Sequence, residues 1–452
     1  MKNILKINLL ALLFSATVFA QEKQTITLKD AVEYALQNKA EAKKAKLAIE
    51  NSEYQIQEAR AGALPNLSAN GSITYNPILQ ETAIPADGFP GMPPSDEPFL
   101  ILAMGQKWNS VAGATLTQNI FDQTVFTGLK AAKTTREFYQ INAQLTEEQV
   151  IERVATAYYN VFVQKEQLET IDSSYVNIEK TRNVIKSLFD NGLAREIDLD
   201  RVEVQLTNIK TQRQQLVNAV QLQENSLKFY MGMPIAQPIE LADQDFTVEQ
   251  MLLADEIDVE GRTEMKVLKK QEELLGLQKE ARKAAYYPTL SLSASYNYMG
   301  QGAKFPIGAG LEDGIYWSDF SSIGLNLKIP IFNGFATKAR VSMADIEIRE
   351  LQEDIIDTKL GLDLEYQNAK SQIENNYIAI ENQQQNVDLA QKVVNNTQSN
   401  YQLGLATLTD LLEAQNTLVD ARNNYSNAVL QYKLAEVQLL KSKGELKTLT
   451  QQ

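Results

Sequence analysis

Neither cysteine nor histidine occurs among the 452 residues of this chain. Disulfides, thiolate metal sites, a cysteine nucleophile and an imidazole base are all excluded at once. The Ser-His-Asp triad and most zinc sites go with them. The acids are the next candidates. Glu147-Glu148, Glu272-Glu273 and Asp354 have the residue types of a glycosidase pair, but they lie in helix-forming runs with no sign of a pocket. Asp410 and Glu413 are three apart, so they share one face of a helix, and Asp198 holds a matching place earlier in the chain. Acids in the first turn of a helix are also favoured by the helix dipole alone. The formal charge is −14 and the pI about 4.8, which argues against a nucleic-acid partner, since phosphate needs a basic face.

These acids sit beside two matching stretches. Gly192-Leu193-Ala194-Arg195-Glu196-Ile197-Asp198-Leu199 is echoed by Gly404-Leu405-Ala406-Thr407-Leu408-Thr409-Asp410-Leu411, with Phe189 falling opposite Tyr401. Each copy lies between long proline-free runs and reads as the tip of a helical hairpin. The glycine supplies the positive φ that ends the first helix. The spacing is nearly half the chain, too long for a solenoid repeat, and it implies duplication of a whole half.

Residues 1–20 read as a secretory signal peptide. Lys2 and Lys6 precede an apolar run, and Val18-Phe19-Ala20 is a cleavage site. The first repeat is expected over 21–231. It comprises a helix at 28–63, strands at 67–76 and 108–121, and a long helical hairpin at 123–231 with its tip near 191–197. Residues 232–261 read as a linker. The second repeat, 262–446, has a helix at 262–286, strands at 289–299 and 318–331, and a hairpin at 335–446 with its tip near 403–407. A tail, 447–452, follows. Pro65 and Pro288 stop the first helix of each repeat. The long helices would each run roughly 100 Å. Between the first two strands lies a loop, 76–107, holding half of the 12 prolines; a structureless loop of that length is usually exposed or functional.

The four strands alternate. Leu67, Ala69, Gly71, Ile73 and Tyr75 share one face, with Ser68, Asn70, Ser72 and Thr74 on the other. Their length suits a tilted outer-membrane strand. Aromatic residues gather at the strand ends: Tyr75, Trp108, Tyr296, Tyr298, Tyr316 and Trp317 on the loop side, and Phe121, Tyr286, Tyr287 and Phe332 on the helix side. The two tryptophans are expected at equivalent places of the two halves. Two aromatic girdles fit the two membrane interfaces, making Tyr75, Trp108, Phe121, Tyr296, Tyr298, Trp317 and Phe332 the candidate lipid contacts. Four strands cannot close a barrel alone, so oligomerisation must complete it; three copies would supply twelve strands, and other multiples are open.

Leu28-Lys-Asp-Ala-Val-Glu-Tyr-Ala-Leu36, Ala63-Leu-Pro-Asn-Leu67, Met231-Gly-Met-Pro234, Tyr287-Pro-Thr-Leu290 and Pro330-Ile-Phe-Asn-Gly334 follow one another in the duplicated frame. With the tips Asn191-Gly-Leu-Ala194 and Leu403-Gly-Leu-Ala-Thr407, they resemble the TolC-type outer-membrane efflux channel family over nearly the whole mature length. The resemblance implies an α+β membrane protein. Its homotrimer would form a twelve-stranded outer-membrane β-barrel, four strands per chain, continuous with a periplasmic helical coiled-coil tunnel. It implies an exit duct of a tripartite efflux or type I secretion system, not an enzyme, with no cofactor and no metal site. Its partners would be a periplasmic membrane-fusion adaptor, an inner-membrane transporter and outer-membrane lipid. Asp410, Glu413 and Asp198 would form an acidic ring at the periplasmic entrance, where carboxylates favour cations. Tyr401 matches a tyrosine that latches the closed entrance, although the arginine expected two residues after the tip glycine is Ala406 here, with Arg195 in the other tip. Gly192, Leu193, Ala194, Gly404, Leu405 and Ala406 would dock the adaptor. A non-conducting envelope coiled-coil scaffold or adhesin is the competing reading.

Overall fold

Long helices and short strands follow one another along the chain. The computed structural model describes residues 24–85, 98–242 and 257–450. The expected signal segment lies outside the described residues, as do parts of the proline-rich loop, the linker and the tail. The first repeat contains β1 (Gln24–Ile26), α1 (Leu28–Asn38), α2 (Ala40–Ala61), β2 (Asn66–Tyr75), β3 (Gln80–Pro85), β4 (Phe99–Met104) and β5 (Trp108–Phe121). It continues with α3 (Gln123–Asp190) and α4 (Glu196–Met231). Then come β6 (Ile239–Leu241), α5 (Thr263–Lys283), β7 (Thr289–Gly302), β8 (Ile315–Lys328), α6 (Ala336–Gln402) and α7 (Leu408–Lys443). The chain divides into two compact units. A strand unit holds residues 51–136 and 271–350, and a helical unit holds the rest.

In the helical unit, α1 opens with a reciprocal cap. The Thr27 hydroxyl accepts from the Asp30 amide at 3.1 Å, and the Asp30 carboxylate accepts from the Thr27 amide at 3.1 Å. Leu28, Ala31, Val32 and Ala35 bury one stripe. They pack against Val150, Val154 and Tyr158 of α3 and Leu227 and Met231 of α4. The larger aliphatic side chains among them contribute about 1.5–3 kcal/mol each when fully buried. The single helix expected over 28–63 is in fact two, broken at Lys39, where the backbone is extended. The break comes from packing. Lys39 is buried, its Nζ donates to the Phe229 carbonyl at 2.8 Å, and it lies 3.8 Å above the Phe229 ring. Gly232 abuts this corner so closely that a Cβ there would stand 3.0 Å from the Lys39 backbone.

Farther along α3, Ile171, Ile178 and Ile185 recur every seventh residue and are buried with Val202 and Ile209 of α4, which keep the same interval. That is coiled-coil packing between the arms of a hairpin. Leu408 and Leu412 of α7 join the same cluster, so the two hairpins pack side by side.

In the strand unit, four strands form one antiparallel sheet in the order β2-β5-β7-β8. The β7–β8 hairpin is longer than expected toward the loop. Pairing continues to Gly302 opposite Ile315, so the strands are 289–302 and 315–328 instead of 289–299 and 318–331. The intervening turn is held by the Trp317 indole N–H, which donates to the Ala309 carbonyl at 2.9 Å. The loop over 76–107 is not structureless either. Its described parts contain the antiparallel ribbon β3–β4. Proline at Pro85 is tolerated because it ends an edge strand. No helix of the described residues is long and apolar enough to cross a membrane.

Candidate functional site

Both hairpin tips in the helical unit are built by the same backbone device. At the first, Gly192 has φ 74°, its amide donates to Phe189 O at 2.9 Å, and Leu193 N donates to Leu188 O at 2.8 Å. At the second, Gly404 has φ 75°, with Gly404 N to Tyr401 O at 3.0 Å and Leu405 N to Asn400 O at 2.8 Å. These are Schellman caps, which satisfy the last carbonyls of α3 and α6 and need a residue tolerant of positive φ. The cap turns Leu193, Leu403 and Leu405 into solvent, each at least 73% exposed.

The return helices start differently. Thr407 caps α7: its hydroxyl donates to the Asp410 carboxylate at 2.7 Å, and its amide donates to the same oxygen at 2.8 Å. These bonds hold the Asp410 carboxyl below the usual aspartate range. Arg195 occupies the matching position in α4 and cannot cap. Instead its guanidinium grips Asp198 with two bonds, at 2.9 and 3.1 Å. One tip therefore carries a free anionic cap and the other a neutral ion pair. Glu413 is exposed on α7 and lines a shallow groove with Arg201, Thr409 and Asp420. Arg201 donates to the Thr409 hydroxyl at 2.8 Å, and Gln205 to Asn416 at 2.5 Å, bridging α4 to α7. Sequence reading missed these bridges, because nothing local marks two residues from different hairpins as neighbours. Tyr401 packs on the tip cluster and borders a cleft of about 320 Å³ with Lys180, Gln391, Gln415 and Arg422. Burial, and then the nearby Asp198 charge, push its phenol upward.

The strand unit offers a surface of another kind. Directly opposed residues share a face, and the register places Leu67, Leu116, Ala294 and Ile323 in one row of the sheet, and Ala69, Ala114, Tyr296 and Ser321 in the next. This apolar face is open: Leu67 is 72% and Ile323 is 82% exposed. The other face is polar, with Ser295 3.0 Å from Ser322 and Asn326 donating to Ser293 at 3.2 Å. One greasy and one wet face, both uncovered, is the pattern of a lipid-facing barrel wall. Rings cluster at both ends of the sheet. Tyr75 lies 4.6 Å from Trp108, which meets Phe305 edge-on at 5.2 Å, and Tyr298 stacks on Trp317 at 4.9 Å. At the other end Phe121 lies 6.3 Å from Phe126, and Phe332 meets Phe335 at 5.4 Å.

The tryptophans are not register equivalents, contrary to expectation. Tyr75 faces Trp108, but Tyr298 faces Asp319. Trp317 sits two residues outward, opposite Gly300, where its ring covers that glycine, and Asp319 accepts from the Tyr296 hydroxyl at 3.1 Å. A flat ring filling the space over a strand glycine explains the shift.

The family model for outer membrane efflux proteins matches residues 31–233 and 260–445. The outer membrane protein TolC of Vibrio cholerae is 23% identical over 74% of this chain and 76% of that protein. The proteases secretion protein PrtF of Dickeya chrysanthemi is 20% identical over 94% of this chain and 89% of its own length. The crystal structure of the Campylobacter jejuni CmeC outer membrane channel superposes with a TM-score of 0.73 at 17% identity, covering 92% of this chain and 85% of that one. This chain belongs to the outer membrane efflux protein family, in the TolC-type branch of outer membrane factors.

Proposed function

We propose that three copies of the chain assemble, their sheets closing a twelve-stranded barrel in the outer membrane and their hairpins forming a tunnel on the periplasmic side. As a family member, the chain is an outer-membrane exit duct for efflux or type I secretion. The observation that best supports the trimeric form is the sheet itself. It has one exposed apolar face, one polar face and two edge strands, β2 and β8, with a single strand neighbour each. Exposed edges of that length invite pairing, and closure is what a bilayer demands of strands. The duct works passively, without cofactor or catalytic group. It takes its substrate from an inner-membrane transporter through a periplasmic adaptor.

At the entrance, Asp410 and Glu413 supply the acidic ring. Asp198 contributes less charge because Arg195 neutralises it. Tyr401 holds the closed form by packing more than by a tyrosine–arginine latch, since Ala406 offers no guanidinium. Gly192, Leu193, Ala194, Gly404, Leu405 and Ala406 present small caps and bare leucines that fit the apolar tips of adaptor helices. Tyr75, Trp108, Phe121, Tyr296, Tyr298, Trp317 and Phe332 anchor the barrel at its two interfaces. The mass of the detergent-solubilised protein, read by light scattering after subtracting bound detergent, tests the assembly. Three chains per particle is the expected value, and a monomer contradicts it.

A further inference from the structure

The sheet is made of two hairpins, β2–β5 and β7–β8, that share residues at matching positions. Leu67, Ser68, Ser72 and Tyr75 of β2 correspond to Leu290, Ser291, Ser295 and Tyr298 of β7. Ser110, Gly113, Leu116, Ile120 and Phe121 in and at the end of β5 correspond to Ser321, Gly324, Leu327, Ile331 and Phe332 in and after β8. The observed pairing obeys the same alignment. Leu67 faces Leu116 as Leu290 faces Leu327, and Ser72 faces Val111 as Ser295 faces Ser322.

Between the hairpins, the second strand of one meets the first strand of the other. There Ala112 faces Tyr298, Ala114 faces Tyr296 and Leu116 faces Ala294. The strands with one open edge are the first and last of this series, β2 and β8. Four strands are too few to curl round on themselves, so β8 must meet the β2 of another copy. Carrying the β5–β7 register across that gap converts Ala112 into Ile323, Tyr298 into Tyr75, and so on along the strands.

We propose that β8 of one copy pairs with β2 of the next so that Ile323 faces Tyr75, Leu325 faces Ile73 and Leu327 faces Gly71. This rests on the trimeric reading and adds the residue-level seam to it. Physical chemistry supports the register independently. It sets apolar residues against apolar residues on one face, whereas a slip of one residue would turn a whole strand over. The bulky Leu327 also meets a glycine.

The same register gives the β3–β4 ribbon a seat. Because Tyr75 ends β2 opposite Ile323, the first half of β8, 315–322, lies beyond the end of the neighbour's β2. The neighbouring chain continues there into residues 76–79 and β3. Among the described residues β3 pairs only with β4, leaving its other edge open. An isolated ribbon of this length is marginal in water, and Phe99 and Ile101 on β4 stand exposed. Laying the β3 edge along the neighbour's β8 turns the ribbon into a clasp between subunits.

The absence of cysteine makes the test direct. Paired substitutions Leu325→Cys with Ile73→Cys, and Asn326→Cys with Ser72→Cys, sample both kinds of antiparallel pair, wide and narrow, of which one suits a disulfide. Leu325→Cys with Tyr75→Cys, and Ile323→Cys with Ile73→Cys, represent slips of two residues in either direction. After oxidation, a matched pair is expected to give covalent dimers and trimers on a denaturing gel, several-fold above the slipped pairs. Slipped pairs linking better than matched ones, in protein whose detergent mass is still that of a trimer, overturn the register. A monomeric mass for the unsubstituted protein overturns the trimeric reading itself. Ser318→Cys with Gln80→Cys, joined by a short bismaleimide, probes the clasp. Inter-chain products are expected, and their absence beside an intact seam cross-link overturns the clasp.

Discussion

Thr407 and Asp410 hold each other at the start of α7, and that cap fixes where the proposed entrance carboxylate sits. Thr407→Ala removes it. Amide exchange over residues 408–411 is expected to quicken roughly five-fold, the usual cost of a lost N-cap, with the rest of α7 unchanged. Because the Asp410 carboxyl is held below its ordinary range, the cap contributes fully above that range and is lost only as the pH falls through the depressed value. Asp410→Asn with Glu413→Gln is expected to lower the cation selectivity of the open channel, read from reversal potentials in a salt gradient. Unchanged potentials reject these residues as the ring. Glu148 behaves in the opposite sense. Burial raises its carboxyl above the usual range despite the bond from Thr263. Its contribution to stability is present in full at low pH and is lost as the pH rises through the raised value. Glu148→Gln is therefore expected to raise the melting temperature at pH 7 by roughly 1–2 °C and to have no such effect at pH 4. The acid in the first turn of α7 was legible in the sequence, whereas its reciprocal cap with Thr407 came from the structure. The Arg195–Asp198 pair has the same spacing but a different logic, and only geometry showed that it neutralises one tip. Lys39 gave no signal at all, since its partners Phe229 and Gly232 are distant in sequence.

The long helices, the tips and the four strands could be read from the sequence because each carries a local pattern: a long proline-free run, a glycine that ends a helix, a period of two. Gly192 and Gly404 illustrate it, each closing a Schellman cap that other residues adopt only with strain. Gly404→Ala is expected to destabilise the second hairpin by about 1 kcal/mol, seen as faster exchange of residues 398–405, and to weaken capture of an adaptor hairpin in a pull-down. Unaltered exchange at the tip argues that the cap is not needed. What the sequence hid were features set by packing between elements. The break between α1 and α2 exists because a lysine docks on the end of α4. The β3–β4 ribbon hides among prolines that read as a loop. The outward shift of Trp317 depends on the empty space over Gly300, on another strand.

For the whole molecule, the two units make complementary demands. The strand unit leaves an apolar face and two edges uncovered, and the helical unit packs two heptad hairpins whose tips end in bare leucines. The proposed trimer in the outer membrane would meet the first demand, and the proposed adaptor the second. The repeat expected from the sequence has a counterpart in the two strand hairpins, where Leu67 faces Leu116 as Leu290 faces Leu327, and the proposed seam register rests on that match. Single-channel conductance of the purified protein in a planar bilayer tests most directly whether the chain forms an acidic-mouthed duct. Stepwise, cation-selective conductance is expected from particles with the mass of a trimer. Insertion without conductance, or a particle that does not insert, contradicts it and leaves a non-conducting envelope scaffold as the better description.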